Sequence, residues 1–170
     1  MNKVRGTTIG VLSDTHRTGI DDRFRSQAKS AFARCDTIVH AGDLISQDIL
    51  SVFEGKHVYA VHGNMCSFAT RSRLPESISF RVNDYQFGLC HGHRFGRDLE
   101  TGLIARFPGA DCIIFGHTHH PLVQRFAQAL LVNPGSFRGT GRYGSLPSYA
   151  IISVEETGLS ATLHSLQEGF

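Results

Sequence analysis

Five short apolar runs, at residues 8–12, 37–41, 58–61, 87–90 and 112–115, constrain this chain more than any other feature. They are rich in β-branched residues and lack polar alternation, the pattern of strands buried on both faces, as in parallel sheets. Amphipathic stretches separate them. Residues 21–34 place Phe24, Ala28, Ala31 and Phe32 at helical spacing behind Asp21 and Asp22, acids that favour a helix N-terminus. Ser46 is positioned to cap a short helix carrying Ile49, Leu50 and Phe53, and Asp98 one carrying Leu99, Leu103 and Phe107. Beyond residue 120 the pattern changes to strands joined by short turns, at 121–126, 129–132, 149–154 and 161–166, with a glycine-rich loop over 135–144. The order predicts a layered α/β domain with a mixed sheet or two stacked sheets, spanning residues 1–170 without an internal boundary.

Composition narrows the function classes. The 170 residues suffice for one domain with a real core. A formal charge of +2 offers no nucleic-acid-binding patch and no polybasic membrane surface. No run of about 18 apolar residues is present to span a bilayer, and Met1 to Gly6 leads into a polar segment rather than a secretory signal. Cys35, Cys66, Cys90 and Cys112 form no C-x-x-C pair and read as reduced thiols of a cytoplasmic protein. The 12 Phe fall at helix and strand spacing, as core residues do, and not in a basic cluster that would stack bases.

The informative residues follow the runs. Leu12 precedes Ser13-Asp14-Thr15-His16, Ala41 precedes Gly42-Asp43, and Val61 precedes His62-Gly63-Asn64. Cys90 precedes His91-Gly92-His93, and Phe115 precedes Gly116-His117-Thr118-His119. Ligand sites in open α/β sheets lie outside the carboxyl ends of the strands, so five strand ends deliver oxygen and imidazole groups to one rim. Asp14, His16, Asp43, Asn64, His91, His117 and His119 exceed what one tetrahedral ion needs and suit two ions sharing a bridging carboxylate. With no thiolate among them, the set favours Mn, Fe, Ni or Zn. Of the other histidines, His40 lies inside a buried run and reads as a satisfied core imidazole, and His57, His120 and His164 read as structural or exposed.

The order Asp14-x-His16, Gly42-Asp43, Gly63-Asn64, His91-Gly92-His93 and Gly116-His117-Thr118-His119, with Asn133-Pro134-Gly135-Ser136 after it, resembles the calcineurin-like metallophosphoesterases, in particular their small YfcE-type branch. The resemblance implies two stacked mixed β-sheets flanked by helices, with a dinuclear metal site at the sheet edge. Carried over by position, Asp14, His16, Asp43 and His119 would hold one ion. Asp43 as a bridge, Asn64, His91 and His117 would hold the other. The implied activity is hydrolysis of a small phosphate ester, most readily a phosphodiester, by in-line attack of a hydroxide bridging two divalent ions, manganese foremost. The alternative is a non-catalytic scaffold or protein-binding subunit, as in a eukaryotic vesicle-sorting relative. Homo-oligomers are compatible with either.

One position departs from the pattern. Relatives place His, or Cys-Asp in the small branch, after the motif Asn; here Met65-Cys66 stands there, and neither is a general acid at neutral pH. His62, His93 or water is left to protonate the leaving group. His93 is the candidate to touch substrate, and Arg94, Arg97, Arg138 and Arg142 are candidate phosphate contacts.

Overall fold

The computed structural model describes residues 6–139 and 144–166. The chain runs β1 (Thr7–Leu12), α1 (Asp22–Ala31), β2 (Thr37–His40), a 3-10 helix (Gln47–Phe53), β3 (His57–Ala60), α2 (Phe68–Arg73), β4 (Ser77–Val82) and β5 (Tyr85–Cys90). It continues through α3 (Leu99–Arg106), β6 (Cys112–Ile114), β7 (Leu122–Phe126), β8 (Ala129–Asn133), β9 (Ser148–Glu155) and β10 (Gly158–Ser165). Two five-stranded sheets result, in the orders β10-β9-β1-β2-β3 and β4-β5-β6-β8-β7. Each is mixed: β1, β2 and β3 are parallel and β9 is antiparallel to β1. In the second sheet β5, β6 and β8 are parallel, with β4 and β7 antiparallel at the edges.

The period-2 side-chain alternation of a strand explains why these runs are apolar throughout. Ile9, Val11 and Val39 from one sheet meet Phe87, Leu89, Ile114 and Val132 from the other in the central core. Leu12 and Ile38 point the opposite way, into a second core with Phe24, Ala28, Phe32, Ile49 and Phe53. On the far side Ile113, Ala129 and Leu131 pack with Leu103 and Phe107 of the α3 region. The layers are therefore helix, sheet, sheet, helix, and both faces of the central strands are covered.

Local chemistry sets the helix ends. Asp21 has extended backbone and accepts a hydrogen bond from the Phe24 N–H at 2.7 Å, and Ser46 accepts one from Asp48 at 3.2 Å. The short helix expected after Ser46 forms over residues 47–53, wound as a 3-10 helix. Asp98 supplies no side-chain cap to α3, because its ψ of 42° is not the extended conformation from which a cap reaches the first turn. Two elements were unforeseen: β4, whose Ile78, Phe80 and Val82 alternate with Ser77, Ser79 and Arg81 and face the central core, and α2, which buries Thr70 alone. Residues 140–143 of the glycine-rich loop, with Arg142, lie outside the described residues.

Two buried side chains tie these layers together. Phe32, just past α1, packs against Phe53, Phe137 and Tyr149 at ring-centroid distances of 5.8, 5.9 and 5.3 Å. His40, the last residue of β2, is fully buried; its Nδ1 accepts from the Gly42 N–H at 3.2 Å, so Nε2 carries the proton and donates to Thr15 Oγ1 at 3.1 Å. Burial pushes the His40 imidazole down to about 3, although Asp14 pulls the other way.

Phe32→Ala should cost about 3–5 kcal/mol of stability, the usual penalty for emptying a buried aromatic site, read as a lower urea midpoint at unchanged slope. His40 titrates near 6.5 when unfolded and near 3 when folded, so the unfolded chain binds the extra proton between those values. Stability from this group is complete above pH 6.5 and falls by about 1.4 kcal/mol per unit as the pH drops towards 3. Unfolding free energies of wild type and His40→Gln between pH 4 and 6.5 check this: the variant should show the shallower slope, and parallel curves would refute it.

Candidate metal centre

The C-terminal ends of β1, β2, β3, β5 and β6 open on one rim, where the two sheets are laced together. The Asp14 N–H donates to Gly42 O at 3.0 Å and the His16 N–H to Asp43 O at 2.9 Å, joining the β1 and β2 loops. His91 from the second sheet donates through Nδ1 to Ala41 O of the first at 2.8 Å. The His117 N–H donates to Asp14 Oδ2 at 3.1 Å, and His119 Nε2 lies 3.0 Å from Asp14 Oδ1. Met65 reaches the rim through its backbone, its N–H donating to Asp43 Oδ1 at 2.8 Å.

These loops are tight for a reason. Asp14, His16, Asp43, His117 and His119 all have positive φ, between 46° and 67°. For residues with a side chain that region is sparsely populated and costs energy, although Asp and His tolerate it better than most. Two glycines make room for the carboxylates. A Cβ on Gly63 would overlap Asp43 Oδ1, and one on Gly116 would overlap Ser13 Oγ and crowd Asp14 Oδ2.

Six of the seven residues gather into two groups. Ligand atoms of Asp14, His16 and His119 lie within 4.8 Å of one another, and so do those of Asp43, His91 and His117. The carboxylates tie the groups together: His91 Nε2 is 3.9 Å from Asp14 Oδ1, and His16 Nε2 is 4.0 Å from Asp43 Oδ2. Asn64 is exposed on the turn after β3; its carbonyl accepts from Arg71, and among the described residues its side chain makes no hydrogen bond. His93 is half-buried, its ring 5.6 Å from that of His91 and 6.2 Å from that of His117.

The polar atoms left over test whether this rim suits cations. His16 Nε2, His91 Nε2 and His119 Nδ1 are buried and, among the described residues, have no hydrogen-bond partner. Because His91 Nδ1 spends its proton on Ala41, its Nε2 presents a lone pair, 3.1 Å from Asp43 Oδ2 and out of hydrogen-bond geometry. Two electron-rich atoms held at that distance need positive charge between them. A donor set of carboxylates and imidazoles fits divalent cations.

The titration behaviour follows from the same crowding. Burial penalises the charge on Asp14, yet His119 and its other neighbours outweigh that and hold its carboxyl well below the usual range. Asp43 is likewise lowered against its burial, chiefly by His91. His91 rises in return despite burial, through Asp43, and His119 rises through Asp14. His117 and His93 are lowered, first by burial and then by His91.

The supporting residues were only partly foreseen. Asn133 is buried and donates through Nδ2 to Gly116 O at 2.9 Å and Thr118 Oγ1 at 3.0 Å, bracing the loop that carries His117 and His119. Ser136 Oγ donates to Asp14 O at 3.0 Å. The signal was available, since residues 133–136 follow β8 as the other motifs follow their strands. Among the arginines, Arg94 pairs with Glu76, Arg97 is exposed, and Arg138 lines a cavity beside His16. His57 and His120 are exposed, and His164 stacks on Tyr149 at 5.0 Å. The four cysteines are free and buried, and burial pushes the Cys90 thiol up to about 12, away from reactivity.

Comparison with known proteins agrees with this rim. The Calcineurin-like phosphoesterase superfamily domain matches residues 8–157. A probable metallophosphoesterase of Methanothermobacter thermautotrophicus is 39% identical over 135 residues, covering 75% of this chain and 76% of that protein. A phosphodiesterase of Methanocaldococcus jannaschii is 24% identical over 168 residues, covering 87% and 93% respectively. Among solved structures, wild-type Vps29 of Entamoeba histolytica, complexed with Zn2+, superimposes with a TM-score of 0.70 at 18% identity, over 95% of this chain and 100% of that one. With its two mixed sheets, its rim of carboxylates and imidazoles, and a domain match over residues 8–157, this chain belongs to the calcineurin-like phosphoesterase superfamily.

Proposed function

We propose that this protein is a metal-dependent phosphodiesterase with a dinuclear centre. The observation that carries the reading is the pair of three-residue groups, Asp14/His16/His119 and Asp43/His91/His117, each reaching across to the other's carboxylate. The phosphodiesterase among the relatives favours diesters as substrates. Asp43 would bridge the two ions and Asn64 would complete the second set. Manganese is first choice, with Zn, Fe or Ni compatible with the donors. When bound, such ions supply Lewis acidity and lower the pKa of an attacking water.

The chain's own groups do the rest. Asp14 and Asp43 supply two negative charges that hold the cations while leaving the rim positive towards phosphate. Asn64, with its side-chain amide unspent, would donate to a phosphate oxygen. His93, whose Nδ1 is buried and unpartnered, lies close enough to His91 and His117 to donate to the same group. The two residues after Asn64 offer the leaving oxygen no acid: Met65 is exposed and aprotic, and the buried Cys66 Sγ accepts from the Gly63 N–H at 3.2 Å. Free buried thiols accord with a reducing, cytoplasmic setting.

A second reading, a protein-binding subunit, draws on the likeness to Vps29 and on the exposed Met65 and Phe68 near the rim, 56% and 88% accessible. Metal content with hydrolysis of bis(p-nitrophenyl) phosphate separates the two: a binding subunit would not turn it over at any metal loading.

The purified protein should bind close to two divalent ions per chain and lose activity on chelation. Asp43→Asn should cut kcat by more than about 100-fold, exceeding the loss in His16→Ala, because it weakens both ion sites together. Metal analysis and kcat of both variants decide this; full activity with a single ion, or an unimpaired Asp43→Asn, would refute the bridge.

A general acid contributes about 10²–10⁴-fold, most for basic leaving groups. Without one beside Asn64, diesters of graded leaving-group pKa should show a steep rate dependence, aryl far faster than alkyl. Met65→His should flatten it. A flat dependence in the wild type, with chemistry rate-limiting, would point to His93 as the acid.

A further inference from the structure

A cavity of about 490 Å3 opens directly beside His16, lined by Arg17, Thr18, Gly19, Ile20, Asp21 and Arg138. That volume lies within the range of small-molecule sites, roughly 300–1,000 Å3. A smaller one, about 190 Å3, adjoins it and shares Arg17 and Arg138, adding Arg23 and Gln27. The charges around the two are unequal: among the described residues, three guanidinium groups line them against one carboxylate. That carboxylate is already committed. Asp21 pairs with Arg17 at 2.6 Å through Oδ2 and caps α1 through Oδ1. Arg17 is further fixed over the Phe24 ring, 5.0 Å from its centroid.

Arg138 differs from both. Among the described residues it has no hydrogen bond or ion pair, yet its backbone is held firmly. Phe137 on one side is buried and donates its N–H to Ser13 O at 2.9 Å, and Ser136 bonds Asp14 O. The turn carrying Arg138 is therefore anchored to the loop that bears Asp14 and His16. An unspent guanidinium on a fixed turn, at the mouth of a cavity that begins at the metal rim, is positioned to receive an anion.

Resting on the phosphodiesterase reading above, we propose that this cavity is a subsite for a second phosphate, so that the substrate class is a phosphodiester with a further phosphate on one of its organic arms. The scissile phosphate would sit on the rim, and the arm would pass His16 and lie against Ile20. The distal phosphate would meet Arg138, with Thr18 and the fixed Arg17 beside it. The planar fork of a guanidinium matches phosphate oxygens in pairs, which favours phosphate over a single-point anion.

The matched probes are the p-nitrophenyl ester of thymidine 5′-phosphate and the same ester carrying a 3′-phosphate. Wild type should prefer the second by about tenfold in kcat/KM, the order expected of one charge-assisted contact. Arg138→Ala should bring that ratio close to one, and Arg138→Lys should restore part of it. Arg81→Ala, which removes an equal charge from the β4–β5 hairpin, should leave the ratio at its wild-type value. A wild-type ratio near one, or a ratio unchanged in Arg138→Ala, overturns the subsite. Calorimetry with thymidine 3′,5′-bisphosphate in the presence of chelator reads the same contact without turnover: Arg138→Ala should weaken binding about tenfold, and equal binding overturns the proposal. If neither ester is hydrolysed, the phosphodiesterase reading fails, while the calorimetric comparison still decides the subsite.

Discussion

The structure is organised around two carboxylates, Asp14 and Asp43, buried at the ends of neighbouring parallel strands. Two such charges so close together would be untenable alone, since burial and mutual repulsion both favour protonation. Every element reaching the rim answers that problem. Peptide N–H groups of His117 and Met65 and the hydroxyl of Ser13 donate to them, and four imidazoles surround them. What remains, lone pairs on buried imidazole nitrogens facing carboxylate oxygens, calls for cations and gives the rim its chemistry.

Satisfying those charges costs backbone freedom. Five of the residues involved sit at positive φ, and two glycines admit the carboxylates where any larger residue would collide. Such strain persists only where the surroundings over-determine it. Here they do so through three apolar cores, one between the sheets and one under each outer helical layer, so that five strand ends are held in fixed relation. The second layer of polar contacts, through His40, Asn133 and Ser136, ties the loops to one another across both sheets.

Much of this was legible in the sequence because strong local signals coincide with it. Buried parallel strands require uninterrupted apolar runs, and a strand that ends at a ligand site must end in a polar residue and turn sharply. Both marks were present five times over. β4 and α2 escaped for different reasons: β4 alternates Ile78, Phe80 and Val82 with polar residues, as an edge strand does, and so forms no unbroken apolar run, while α2 is a six-residue helix whose first residue, Phe68, faces solvent. Asp98 misled because a capping residue type is not a capping geometry, and its backbone turns the side chain away from the first turn.

The sequence by itself determined the layered α/β class, the buried parallel strands and the identity of the residues that could meet at the rim, since these depend on periodicity and on which side chains carry lone pairs. Only the tertiary structure decided how they meet. That Asp14 faces His16 and His119 while Asp43 faces His91 and His117 depends on register between strands and on the stacking of two sheets. That, among the described residues, Arg138 stands unpaired beside His16 while Arg94 is spent on Glu76 depends on the anchoring of one turn by Ser136 and Phe137. These include relations between residues 122 positions apart in the chain, and no local pattern encodes them, because the free energy that selects them comes from burying all three cores at once.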